Sequence, residues 1–429
     1  MSRTARQFES AVLKTRIRKI VGLLIEAGRL SLPLGSRLSI HSQALGTKIP
    51  VELVGFTDHS IFLMPYGRMD GISPGDEAVF ETSEQTVLVG EELLGHVLNG
   101  KGEVIDGAAV TAPHQRPIYH EAPLALSRRR IGEPFFTGIR AWDAFLTMGR
   151  GQRVGVFAGT GVGKSVLLGM IARNSQSDVN VICLVGERGN EVNEFIGDVL
   201  GPEGMKKSVV VIATSDQTPL TRVRSAFVAI SIAEYFAEQG KNVLFLVDSI
   251  TRMCMAAREL GLSIGEPPTS KGYPPSVFSM IPKLLERAGN FQTGSITSII
   301  AVLLEGDDLQ DPIGDAVRGV LDGHVVLDRS LADRGFYPAI SIPDSLSRWM
   351  SEVADKDSLA LARQGRKAIA DFRNAEDLIN VGAYVNGSNP DIDSAIHLIK
   401  PIRKFMTQGI KDTSSPEDTL KLFKKTLSS

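Results

Sequence analysis

The sequence predicts an α/β protein: a core built on a mostly parallel sheet and carrying a P-loop, flanked by a small N-terminal β-barrel and a C-terminal helical domain. Three observations carry this. Between about residues 131 and 350, apolar strand-like runs alternate with helical patterns. One run, Val154–Phe157, leads into Ala158-Gly159-Thr160-Gly161-Val162-Gly163-Lys164-Ser165, and Val166–Ala172 then reads as the opening of a helix. Outside the core the texture changes, to short segments bounded by Gly, Pro, Asp and Ser on one side and to charged helical patterns on the other.

Taken in order, residues 1–19 carry Arg3, Arg6, Lys14, Arg16, Arg18 and Lys19 against Glu9 alone. Phe8, Val12 and Leu13 can share a helical face, so a basic helix meeting an acidic partner or an anionic membrane surface is expected, and a solvated terminal helix would share the pattern. Residues 20–98 hold the short segments Arg37–His41, Val51–Phe56, Ser60–Met64 and Asp76–Phe80, as in a small barrel. Phe56, Phe62, Tyr66 and Phe80 fall at core-type positions there, and no basic stripe accompanies them, which argues against nucleic acid as a partner. Residues 99–130, with Pro113, Pro117, Pro123 and the run Arg128-Arg129-Arg130, read as a connecting segment. In the core, 131–350, strands are expected at 179–185, 208–213, 242–247 and 295–304. The helical region, 351–429, is broken by the turn formers Asn386-Gly387-Ser388-Asn389-Pro390.

With 429 residues the chain is long enough for two or three domains, and 43% hydrophobic and 22% charged residues are ordinary for a globular protein. A net charge of −2 gives no global attraction to polyanions. Cys183 and Cys254 lie in apolar stretches and suggest a reducing compartment. No signal region or membrane-length apolar run stands out, so a cytoplasmic protein is expected. The seven histidines show no ligand spacing.

The chemistry starts at the glycine-rich turn. Strand, turn, Gly-Lys-Ser and helix are the order a phosphate-binding loop requires, because bare glycines let successive N–H groups curl around phosphate oxygens at a helix N-terminus. Gly159, Thr160, Gly161, Val162, Gly163, Lys164, Ser165 and Val166 are the expected nucleotide contacts, with Lys164 on the β/γ-phosphates and Ser165 on Mg²⁺. Asp248 ends the run Val243–Val247; alone it reads as a cap, but paired with the loop it reads as the Mg²⁺-side carboxylate. Glu187 follows Val181–Val185 and one glycine, where a carboxylate could orient water, and Glu191 could back the metal's water shell. Spacing alone leaves a surface ion pair between Glu187 and Arg188 equally open.

Further stretches then line up: Glu133-Pro134, Thr137–Ala141, Gly149–Gln152, Gly186-Glu187-Arg188-Gly189, Asp248–Arg252, Gly265–Pro268 through Gly272–Ser276, Leu284–Gly289, Asp311-Pro312-Ile313 and Leu321–His324. In this order and spacing the chain resembles the ATPases of flagellar and other type III protein export systems, relatives of the catalytic subunits of rotary ATP synthases. The resemblance implies a RecA-like core in a homohexameric ring that hydrolyses ATP with Mg²⁺ to energise export. It makes Glu187 the water-activating residue, Arg188 a phosphate-side contact, Tyr337 the aromatic stacked on adenine and Arg348 an arginine finger reaching the neighbouring subunit. It points the proline-rich loop 265–276 at the ring's pore. Its partners would be export-gate and stator or regulator proteins, chaperones and unfolded cargo, with peripheral membrane contact through residues 1–19. Asn190, Ser341 and Trp142 depart from the family pattern, and Phe405 is the nearest candidate for a C-terminal aromatic beside the adenine. The catalytic subunit of a rotary synthase is the runner-up, but Ile379–Tyr384 stands where those subunits carry an acidic lever.

Overall fold

The computed structural model describes residues 13–308 and 310–428. Strands β1 (Lys14–Val21), β2 (Leu24–Gly28), β3 (Arg37–Ser42), β4 (Thr47–Phe56), β5 (Ser60–Pro65) and β6 (Glu77–Thr82) close into a barrel in the order β1-β2-β5-β4-β3-β6. Side chains alternate between faces, so Leu38 and Ile40 of β3, Val51 and Leu53 of β4, and Ile61 and Leu63 of β5 share one core. Closure leaves no unpaired strand edge.

The N-terminal expectation changes. Residues 1–12 lie outside the described residues, and Lys14–Lys19, expected on a helix, belong to β1. Ile17 is buried while Arg16 and Arg18 face outward, a period of two that a helical reading overlooked. Lys14 pairs with Glu77 at 3.0 Å, and Arg18 donates to the His59 carbonyl at 3.0 Å. Tyr66 is buried, but Phe56 is 62% exposed at the end of β4 rather than inside the barrel.

Downstream, β7 (Thr86–Val89) pairs with β9 (His114–Pro117), and β10 (Pro134–Phe135) pairs with β11 (Met148–Gly149). The main sheet contains β8 (Val97–Asn99), β12 (Arg153–Ala158), β13 (Val179–Val185), β14 (Ser208–Ala213), β15 (Asn242–Asp248), β17 (Ser295–Leu303), β18 (Gly323–Leu327) and β19 (Ile340–Ser347). Its order is β19-β18-β12-β17-β15-β13-β14-β8, with β16 (Gly289–Asn290) beside β17. Every pairing from β18 to β8 is parallel; β19 is antiparallel. The barrel therefore ends with β6, and β8 extends the core sheet. Three residues between glycine-flanked turns carry too little pattern to show which sheet they join.

Both faces of this sheet are covered, which is why its strands are continuous apolar runs. Val181, Cys183 and Val185 pack with Phe227 and Ile230 of the helix Pro219–Glu238. Ile182 and Leu184 pack on the other face with Leu167 and Ile171 of the helix Lys164–Asn174. The 99–130 segment is clamped on: fully buried Arg287 donates to Glu234 at 2.8 and 2.6 Å and to the Ile118 carbonyl at 2.6 Å. Burial pushes the Glu234 carboxyl up, but hydrogen bonds from Arg287 and His120 outweigh it and hold it at about 2. The C-terminal helices Lys356–Asn380, Pro390–Met406 and Pro416–Leu427 form the third unit. Phe405 is buried there, its ring stacked 4.9 Å from Phe423, so it is a core residue and not an adenine contact.

Candidate active site

Parallel strands bring their C-terminal ends to one edge, and the turns there form the ligand crevice of open α/β sheets. Ala158 ends β12, residues 159–163 form the turn, and Lys164 opens the helix. Gly163 has φ +93° and Gly161 φ +82°, conformations that side chains resist. Nothing stands within 4 Å of where a Cβ on Gly161 would lie, whereas one on Gly163 would lie 3.5 Å from the Tyr337 ring. Tyr337 therefore packs against the loop, with 45% of its surface still exposed.

Lys164 is buried and forms an ion pair with Asp248 Oδ1. Ser165 Oγ donates to Asp248 Oδ2 at 3.0 Å. Glu187 lies two residues beyond β13, with Oε1 4.0 Å from Lys164 Nζ. That oxygen is buried and accepts no hydrogen bond among the described residues. Burial raises the Glu187 carboxyl to about 8, helped by its hydrogen bond with Glu191 and the charge of Asp248; Lys164 and Arg252 oppose the rise. The same hydrogen bond holds Glu191 below the usual carboxylate range. Glu191 is exposed and engages Glu187 and, at 3.9 Å, Arg188, rather than Ser165 or Asp248. Arg188 points to solvent, its side chain 80% exposed.

Two residues that the spacing did not single out belong here. Arg252 sits one helical turn beyond Asp248, with Nη2 3.4 Å from Glu187 Oε2 and Nη1 donating to the Gly186 carbonyl. Its stretch was legible, but its direction needed the sheet. Arg329 donates to the Thr160 carbonyl in the loop at 3.1 Å, a contact across 169 positions with no local signal. Ser341 is buried and turned to Asp344, not to the loop.

Arg348 does not join this cluster. It follows β19, and its N–H donates to the Asp322 carbonyl at 3.1 Å, while the Asp322 N–H donates to Arg153 O at 2.8 Å. Arg348 thus stands level with the start of β12, about 16 Å along the strand from the phosphate loop. It is exposed and makes no side-chain hydrogen bond or ion pair among the described residues.

Known proteins resemble this chain. Residues 138–347 match the ATP synthase alpha/beta family, nucleotide-binding domain, and residues 354–425 match the T3SS EscN ATPase C-terminal domain. The chain is 45% identical over 408 residues to the flagellum-specific ATP synthase of Bacillus subtilis, covering 94% of this chain and 93% of that protein. It is 44% identical over 409 residues to the type 3 secretion system ATPase of Xanthomonas euvesicatoria, covering 95% and 92%. Among solved structures it resembles the assembled ATPase EscN of enteropathogenic E. coli, with TM-score 0.91 and 43% identity, over 96% of this chain and 100% of that one. EscN in complex with its central stalk EscO gives TM-score 0.89 at 42% identity, over the same shares. A barrel, a phosphate loop on a parallel sheet and a matching helical domain, together with these identities, show that the chain is a P-loop ATPase of the flagellar and type III secretion ATPase family.

Proposed function

We propose that this chain assembles into a homohexamer that hydrolyses ATP with Mg²⁺ to energise type III protein export, most directly flagellar export. The observation that carries the proposal is the division of the site. Lys164, Ser165, Asp248 and Glu187 gather at one end of the sheet, while exposed Arg348 stands at the other. A charge-stabilising arginine so placed serves a neighbouring copy rather than its own loop.

The residues fit a magnesium nucleotide. The glycine turn is open in front of Gly161, Ser165 and Asp248 are adjacent, and Glu187 has a buried oxygen that accepts no hydrogen bond among the described residues. Among the described residues no three His, Cys, Asp or Glu side chains form a metal cluster, so a divalent ion here would arrive with the nucleotide. Ser165 and Asp248 would hold it, and when bound it would supply positive charge against the phosphates. Gly159 to Val166 cradle the phosphates through backbone N–H groups, and Lys164 leaves Asp248 for the γ-phosphate. Tyr337 lies along the base. Glu187 orients the attacking water and takes its proton. The neighbour's Arg348, with Arg188 on the phosphate side, stabilises the charge that develops as the γ-phosphoryl transfers in line.

EscN has been solved with a central stalk, and we extend a comparable stalk partner to this chain. Export-gate proteins, regulators, chaperones and unfolded cargo complete the proposed set. No helix of the described residues is long and apolar enough to cross a membrane. Peripheral association with the inner membrane face from the cytoplasm is proposed through the basic N-terminal segment containing Arg3 and Arg6.

The test is mixing. Lys164→Ala and Arg348→Ala chains are each expected to be inactive alone, and together to regain part of the turnover through sites that take the loop from one copy and the arginine from another. No recovery on mixing, with wild type fully active as a monomer, would refute the shared site. Loss of hook and filament export on deleting the gene would support the flagellar assignment; loss of effector export alone would replace it with an injectisome.

A further inference from the structure

The segment that follows the helix Pro390–Met406 touches the nucleotide site at an unexpected place. Gln408 is 3% exposed, and its amide is fully used. Its Nε2 donates to the Gly138 carbonyl at 2.9 Å and to the Asp412 carbonyl at 3.2 Å, and its Oε1 accepts the Arg140 N–H at 2.9 Å. Its own backbone N–H donates to the Tyr337 carbonyl at 2.8 Å. One buried side chain thus ties the C-terminal domain to the start of the core, while its backbone holds the aromatic residue that packs on Gly163.

The same segment also grips the far end of the phosphate-loop helix. Arg173 donates to the Ile410 carbonyl, and Asn174 donates to the Asp412 carbonyl at 3.1 Å. The helix that begins at Lys164 ends at Asn174, so its two ends touch the phosphate site and this segment. A helix is stiff over three turns, and a displacement of the segment is carried to the loop.

We propose that Gln408 is a positioning residue for nucleotide binding: it holds Tyr337 against the phosphate loop and makes that wall follow the C-terminal helical domain. This rests on the reading of Tyr337 as the base-side wall. A partner that tilts the C-terminal helices would then change nucleotide affinity before it touches any reacting group. An exposed or half-satisfied glutamine would carry no such role; here every polar atom of the amide has a partner, and removing the amide takes the donor from the buried Gly138 carbonyl and the acceptor from the Arg140 N–H, while Asp412 keeps Asn174.

The experiment compares wild type, Gln408→Met, Tyr337→Ala and the double variant as full-length assemblies, measuring kcat and KM for MgATP together with the melting temperature. Gln408→Met keeps the backbone N–H that holds Tyr337 but releases the side-chain anchors of that segment on Gly138 and Arg140, and is expected to raise KM by up to about tenfold with kcat within about twofold. Tyr337→Ala is expected to raise KM similarly. The double variant should be little worse than Tyr337→Ala, because both act through one wall. A Gln408→Met enzyme with unchanged KM, beside a Tyr337→Ala enzyme with raised KM, overturns the positioning role alone. Fully additive effects on KM overturn it as well, since Gln408 would then act elsewhere. Unchanged KM in Tyr337→Ala defeats the base-wall reading, and the proposal falls with it. Should Gln408→Met fail to fold, Gln408→Asn, which keeps the amide one methylene short, carries the same expectations at smaller amplitude.

Discussion

Arg252→Gln should move the pH profile of ATP hydrolysis upward. The Glu187 carboxyl is raised to about 8, first by burial and then by its hydrogen bond with Glu191. Below that pH it carries a proton and cannot accept one from water; above it the carboxylate is available. The rate kcat/KM, which reports the free enzyme, is therefore expected to rise as the pH passes through this range. Arg252 Nη2 lies 3.4 Å from Glu187 Oε2 and favours the charged form. Even with water-like screening, a unit charge at that distance is worth about 1.2 kcal/mol, roughly one pH unit. Removing it should raise the midpoint by about one pH unit or more. Glu191→Gln acts with the opposite sign, because it removes the carboxylate that accepts the Glu187 proton, and the midpoint should fall. Steady-state hydrolysis from pH 6 to 9.5 on wild type, both variants and Glu187→Gln would decide. Equal shifts in the same direction, or a Glu187→Gln enzyme that keeps the wild-type profile, would refute the reasoning.

Two further outcomes concern the frame around the site. Arg287→Met takes two hydrogen bonds from Glu234, which keeps Arg116 at 3.3 Å and His120 at 2.8 Å, and urea unfolding should show a loss of about 2–3 kcal/mol, with kcat unchanged in the folded enzyme. Because Glu234 is held at about 2, its contribution is present above the unfolded carboxylate range and is lost as pH falls from there toward 2; an acid-unfolding midpoint insensitive to Arg287→Met would contradict this. Trp142 is fully buried and its Nε1 has no hydrogen-bond partner among the described residues. Trp142→Phe should lose about 1 kcal/mol to the smaller ring and recover about as much from the stranded N–H. Its melting temperature should stay within about 3 °C of wild type, and a larger drop would mean the indole N–H is satisfied after all.

The phosphate loop was legible because its chemistry is local: positive-φ glycines, a lysine and a serine must be consecutive to do their work. The core strands at 179–185 and 208–213 were legible because burial on both faces leaves an unbroken apolar signature, and strand ends pointed to Glu187 and Asp248. Residues 14–19 misled because cations interleaved with isoleucine fit a helical wheel and a strand about equally well, and only pairing with β2 and β6 separates the two. β8 misled because three residues cannot announce their sheet.

Sequence order therefore specified the reaction class, through a turn whose atoms are neighbours in the chain. Which side chains face that turn from elsewhere depended on folding. Arg252 meets Glu187 because their parent strands, β15 and β13, are adjacent, and Gln408 meets Tyr337 because a helical domain packs back onto the core. Arg348 parts from its own loop because β19 runs antiparallel to its neighbour. Strand order and direction are set by the burial of the whole sheet, a sum over many residues that no short stretch records.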